Sequence, residues 1–361
     1  MSDSVWDTYP SDYRAAEVFS ILTATRAGES VSLVGLSGTG KSNLTGFLAQ
    51  RQSTLEHPLV LVDCNRLAEP TPAALFRLIR RALGEAETAI DEWDALDIAL
   101  TQRLTPPTGS LSLIFDRFDA LTTQPALRLT SNLRALRDAH KFRLTFILAT
   151  RRPLDPHTEL SELVYAHTLW LGPLSNSDAR WNVTRYAARR GVIWGDDVTE
   201  ALIAASRGYP AFLRAASEAH AEGAALDIAS LAAHPAVQRR LAEFWADQPT
   251  ADALRLCGLD NVPLLNATRP NTEPSSAVDT TRFTAKENLL WLHLQAHNNE
   301  VCEKDDLIHA IWPEDKIFEK GVRDDSLAQL VRRLREKIEP DPAHPTHLHT
   351  VPGRGYRFTR S

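Results

Sequence analysis

Gly35-Leu-Ser-Gly-Thr-Gly-Lys-Ser42 is the stretch of this chain whose residue types and spacing point most directly to chemistry. It follows the apolar run Val31–Val34 and opens a segment, 43–51, that can continue as a helix. A strand that turns through glycines into a helix N-terminus aims several backbone N–H groups into one concavity, and the helix dipole adds partial positive charge there. Such a turn suits phosphate. Gly35, Ser37, Gly38, Thr39 and Gly40 supply the backbone cradle, with Asn43 following on the helix. Lys41 is then placed to reach β- and γ-phosphates, and the Ser42 hydroxyl to ligate Mg²⁺. The expected cofactors are ATP or ADP, with Mg²⁺.

Such a loop needs an acidic partner at the tip of a neighbouring strand. Leu111-Ser-Leu-Ile-Phe-Asp116 supplies an apolar strand ending in a carboxylate, so Ser42 and Asp116 are the expected Mg²⁺-holding pair. Trp6, Tyr9 and Tyr13 precede the first strand, where an aromatic ring can either stack on a nucleobase or simply pack.

These groups must be held by a sheet. Strand-length apolar runs recur at 31–34, 59–62, 111–115, 144–149 and 168–171. Helical stretches lie between them at 44–51, 72–83, 86–104 and 126–140. Strands apolar at nearly every position imply burial on both faces, hence a mostly parallel sheet between helix layers. After Pro173 the pattern is purely helical, with Ser175 a plausible cap, and a polar stretch at about 260–279 reads as a linker. The expected division is an α/β nucleotide-binding domain over 1–172, a helical lid over 173–258, a linker over 259–281 and a last domain over 282–361.

In the last segment, periodicity predicts helices at about 285–296, 303–311 and 321–338. His347–Val351 pairs with Tyr356–Phe358 across Gly353-Arg-Gly355 as a hairpin. Three helices and a terminal hairpin make a winged helix. On the third helix Leu327, Leu330, Val331, Leu334 and Ile338 form a buried stripe, leaving Gln329, Arg332, Arg333 and Arg335 to project. Arginine suits guanine edges and phosphate, and glutamine suits adenine. Arg354 at the hairpin tip suits a minor groove, while Arg357 and Thr350 suit phosphates.

The chain of 361 residues carries a net charge of −6, which excludes a global basic coat, so any nucleic-acid surface must be local. Residues 330–361 supply one, being distinctly basic. The three cysteines, Cys64, Cys257 and Cys302, are scattered without metal spacing, and His344, His347 and His349 read as a surface hairpin. With no leader-like start and no membrane-length apolar run, the expected location is the cytoplasm, away from membranes.

The first part of the chain resembles the AAA+ and STAND classes of P-loop ATPases over about 10–245. IFDRFDAL (114–121) is similar to their Walker B segment, and ILATRRP (147–153) to the strand ending in a sensor. RGYP (207–210) is similar to the Gly-x-Pro signature of STAND lids. The resemblance makes Thr150, Arg151 and Arg152 candidates for the sensor polar group or arginine. It also implies that Pro210 lies near the base with Gly208 beside it. Many such ATPases follow the Walker B Asp with a water-orienting Glu, where this chain has Arg117. Asp119 can substitute only if the chain turns it back towards the γ-phosphate. Slow or partner-dependent hydrolysis is therefore expected, with Asp116, Asp119 and Arg151 as the catalytic candidates.

The last domain resembles the OmpR/PhoB-type winged helix through FTAKE (283–287), IW (311–312), VRRLREKIE (331–339) and VPGRGYRF (351–358). Pro352 stands where that family often has Arg, and Asp324 and Asp325 where it often has a basic residue. The leading expectation is an ATP-binding regulator on double-stranded DNA that self-associates when ATP-bound and answers an unknown signal. Two alternatives are a DNA-handling or defence ATPase and a signalling scaffold whose winged helix binds protein.

Overall fold

All five apolar runs of the first part become strands: β1 (Val31–Val34), β2 (Leu59–Asp63), β3 (Leu111–Asp116), β4 (Leu144–Thr150) and β5 (Thr168–Trp170). In the computed structural model they form one parallel sheet in the order β2-β3-β4-β1-β5. The structure describes residues 5–67, 69, 71–86, 90–105, 109–122, 127–155, 159–164, 167–267, 283–311, 320–339, 341–342 and 344–359. Every residue of β1, β3 and β4 is buried, as helices on both faces require. The order corrects one expectation. The Asp116 strand does not neighbour β1, because β4 lies between them and carries Thr150 to the same edge.

Two apolar clusters sandwich the sheet. One joins the helices Ala15–Arg26 and Lys41–Gln50 to the helical region that follows β5. The other is built from Pro72–Ala82, Glu92–Arg103 and Leu127–Ala139. The second of these starts later than periodicity suggests, where Asp91 caps it by accepting from Trp93 N. After β5, Ser175 caps Asn176–Arg189 by accepting from Asp178 N at 3.1 Å. Asp196–Ser206, Pro210–Ala221 and Pro235–Ala246 then pack as a helical layer. The polar linker expected from residue 259 starts too early. Val262, Leu264 and Leu265 are buried, and Pro263–Ala267 is helical, because three apolar side chains within four residues are enough to anchor it.

The chain splits into two compact units, Met1–Arg269 and Pro270–Ser361. In the second, Thr284 and Glu287 form a reciprocal capping box that starts the helix Ala285–Ala296. Lys304–Ile311 and Lys320–Ile338 complete three helices, and β7 (Leu348–Val351) pairs antiparallel with β8 (Gly355–Phe358). A third strand, β6 (Val301–Glu303), lies on the other side of β8. Three residues carry too little alternation to announce such a strand. The predicted stripe of Leu327, Leu330, Val331, Leu334 and Ile338 is buried against Leu290, Trp291, Leu307 and Phe358. Trp312, and the side chains of Asp324 and Asp325, lie outside the described residues. No helix among the described residues is long and apolar enough to cross a membrane.

Candidate functional site

The phosphate loop connects buried β1 to the helix Lys41–Gln50, whose N-terminus begins at Gly40 with no side-chain cap. Its first N–H groups are thereby left for a ligand. Gly38 has φ +86°, and a Cβ there would come within 2.5 Å of Ala211 Cβ, so only glycine lets the following helical layer close on the loop. That layer is bonded to it as well. Ala211 N donates to Gly38 O at 3.2 Å, and the buried Tyr209 hydroxyl donates to Ser37 O.

A cavity of about 440 Å³ opens over the loop, lined by Lys41, Ser42, Arg117, Asp119, Arg151 and Arg214, with Arg240 at its side. Five cations against one carboxylate make it electropositive. The Lys41 ammonium donates to Gly35 O and, at 3.3 Å, to Leu36 O. Burial lowers its pKa to about 8, partly opposed by the carboxylate of Asp119.

Asp116 ends β3, is 6% exposed, and its Oδ1 is buried with no hydrogen-bond partner. At the tip of β4 the Thr150 hydroxyl is likewise buried and unpartnered. Two such oxygens at one sheet edge beside a phosphate cradle are what a hydrated cation and its nucleotide can satisfy. Arg117 adopts φ +55° and turns the chain into Phe118–Leu121, bringing Asp119 round to the cavity wall. There Asp119 accepts from Arg151 N at 2.8 Å. The Arg151 guanidinium reaches across to Asp247 at 2.9 Å, and Arg152 donates to Asp247 O at 2.9 Å. Both arginines therefore tie the end of β4 to the helical layer.

A second cavity, of about 250 Å³, continues from the first through Asn43, Pro210 and Arg214. Its walls include Trp6, Tyr9 and Trp181, with the Arg185 guanidinium 4.9 Å from the Trp181 ring centre and 5.2 Å from that of Tyr9. Gly46 lets the Trp6 indole lie directly on the loop's helix, since a Cβ would meet that ring at 2.5 Å. Tyr13, by contrast, packs edge-on to Phe47 in the core, and burial pushes its hydroxyl up to about 12. Pro210 touches both cavities, whereas Gly208, at φ +73°, shapes the turn and lines neither.

Sequence reasoning missed the residue that ties these parts together. Arg14 is 1% exposed, and its guanidinium donates to Thr39 O at 2.8 Å, Gly172 O at 3.1 Å and Glu17 at 2.7 Å. Its backbone N–H donates to Asp178. One buried cation thus links the first helix, the loop and the start of the helical layer. Trp181, Arg185, Arg214 and Arg240 were also missed, because only the tertiary fold brings them to the cavities.

In the second unit Gln329, Arg332 and Arg333 are exposed on the third helix, as the stripe requires, and Arg332 forms an i,i+4 pair with Glu336 at 3.2 Å. Arg335 does not project freely. It donates to Leu348 O at 2.7 and 2.9 Å and to Thr350 Oγ1 at 2.9 Å, so Arg335 and Thr350 fasten helix to hairpin. Arg354 sits exposed in the hairpin turn, 3.3 Å from Glu303, and Arg357 is exposed on β8. Glu339, also missed, accepts from the N–H groups of Thr346, His347 and Leu348. Burial raises its carboxyl pKa, but these donors outweigh burial and leave it below the ordinary value.

Residues 13–261 match the profile of the family described as Novel STAND NTPase 1, and residues 279–358 match that of Transcriptional regulatory protein, C terminal. Over 80 residues the chain is 38% identical to sensory transduction protein RegX3 of Mycobacterium tuberculosis, covering 22% of this chain and 34% of that protein. It is 36% identical over 85 residues to protein PetR of Rhodobacter capsulatus, covering 23% and 36% respectively. The chain thus spans about a third of the length of these curated relatives. Among solved structures, the Aeropyrum pernix ORC1 protein in complex with DNA aligns over 91% of this chain and 86% of its own, at 15% identity and a TM-score of 0.43.

Proposed function

The chain belongs to the Novel STAND NTPase 1 family, and on that premise we propose that it is a DNA-binding regulator whose nucleotide state controls its C-terminal winged helix. One observation carries the reading: two joined cavities, one cationic and one aromatic, roofed by a helical layer that is bonded to the phosphate loop. ATP or ADP fits this shape, with the base among Trp6, Tyr9 and Trp181 and the phosphates on Gly35–Asn43. Ser42 and Asp116 would hold Mg²⁺, which when bound neutralises phosphate charge and orients the terminal phosphate. The unpartnered Asp116 Oδ1 supports that role.

Arg117 occupies the position of a water-orienting glutamate, and Asp119 is already engaged by Arg151 N. Turnover on the isolated chain is therefore slow, on the order of 10⁻² s⁻¹ or less, so nucleotide acts as a conformational signal. A γ-phosphate would compete with Asp247 for Arg151, loosening the tie between sheet edge and helical lid. Self-association in the ATP-bound form would then place two or more winged helices on one double-stranded DNA. Avidity makes up for modest single-domain affinity. Gln329, Arg332 and Arg333 would meet base edges and phosphates, Arg354 the minor groove and Arg357 the backbone, while Arg335 and Thr350 would hold the wing in place.

Selection from a random duplex pool by the full chain, with and without a non-hydrolysable ATP analogue, tests this. The reading expects one enriched sequence, more strongly enriched with the analogue. Sequence-independent capture together with DNA-stimulated ATP turnover would contradict it and favour a DNA-handling ATPase.

A further inference from the structure

His293 and His297 lie one helical turn apart at the end of Ala285–Ala296, and Cys302 lies on β6 beside them. One ligand atom from each falls within 4.8 Å of the other two, the only group of this kind among the described residues. The two imidazoles stack with their centres 4.4 Å apart. His297 Nδ1 is 2.9 Å from His293 O. A carbonyl oxygen can only accept, so Nδ1 carries the proton and the Nε2 lone pair is left for another partner. A backbone hydrogen bond that fixes the tautomer in this way is a recurrent feature of metal-binding histidines. Cys302 is 5% exposed, and His297 lies open to solvent, so the group has a protein wall and a path of approach.

We propose that His293, His297 and Cys302 form a divalent transition-metal site, with Zn²⁺ the best-matched ion. Two imidazoles and a thiolate select zinc over the hard cations Mg²⁺ and Ca²⁺, which take oxygen ligands. Zinc needs contacts of about 2.0–2.3 Å in a tetrahedron, so metal binding must draw the three ligand atoms closer than the 4.8 Å that now bounds them. A water would fill the fourth position. Burial lowers the pKa of His293 and raises that of Cys302, which favours a neutral His293 imidazole and a protonated thiol before the metal arrives. Binding forms a zinc–sulfur bond and releases the thiol proton to solvent. The site would pin the first helix of the unit to β6, where Cys302 pairs with Tyr356 of β8. Metal thereby stabilises the wing from the side opposite β7.

The test is Zn²⁺ and Co²⁺ titration of the nucleotide-free full chain. The proposal expects one metal per chain, release of about one proton, a higher thermal midpoint, and a thiolate-to-cobalt charge-transfer band. His297→Ala, at an exposed position that the core does not need, and Cys302→Ser should each weaken Zn²⁺ binding by at least about tenfold. Cys302→Ser should also abolish the band. A Cys64→Ala/Cys257→Ala double variant should keep it. Failure of the full chain to bind Zn²⁺ overturns the proposal, as does undiminished binding in both single variants or loss of the band only in the double variant.

Discussion

At the scale of single residues, the proposed phosphate site rests on a buried ammonium. Lys41 sits over the loop carbonyls, and burial brings its pKa to about 8. Phosphate binds the protonated form, so affinity should be flat below that pH and fall above it, by up to about tenfold per unit. Calorimetric titration of ADP between pH 6.5 and 9.5 checks the sign. Lys41→Ala should remove the pH dependence and weaken binding by about 1.5–3 kcal/mol. In the second unit the analogous residue is Glu339, which closes helix onto hairpin through three backbone donors. Its folded pKa lies below its unfolded one. Its stabilisation is therefore present above the ordinary carboxyl range and lost as pH falls through the folded value. Glu339→Gln should lower the stability of this unit by about 1–3 kcal/mol at pH 7, as chemical denaturation would measure, and the loss should vanish in acid.

At the scale of elements, much was legible because the signals are local. Apolar runs such as Leu111–Phe115 announce buried strands, the glycines before Lys41 announce a phosphate turn, and the Leu327–Ile338 stripe separates a buried from an exposed helix face. What stayed hidden depends on which distant elements meet. The insertion of β4 between β1 and β3 is a property of sheet order, invisible in any one strand. Arg14 looks like an ordinary helix-start cation until Thr39 and Gly172 close over it. Arg335 shares a helix surface with Arg332 and Arg333, yet the hairpin captures it. This last difference is measurable. Arg332→Ala and Arg333→Ala should each lower the salt dependence of DNA binding by about one ion and leave the melting temperature alone. Arg335→Ala should lower the melting temperature of the winged unit, because it leaves Leu348 O and Thr350 without their donor.

At the scale of the whole molecule, a nucleotide pocket and a winged helix on one chain matter only if they are coupled. Coupling is reciprocal: a nucleotide that tightens DNA binding must itself be bound more tightly when DNA is present. Under the proposed function the arginine pair at the end of β4 would be the nucleotide's lever on the helical layer, since Asp247 holds both Arg151 and Arg152. The most direct test is the affinity of the full chain for its selected duplex, measured by fluorescence anisotropy with a non-hydrolysable ATP analogue, with ADP and with neither. Coupling of this kind should make the analogue tighten binding at least about fivefold over the nucleotide-free chain, and Lys41→Ala should abolish the difference. Equal affinity in all three conditions, with analogue binding verified on the same sample, would contradict it.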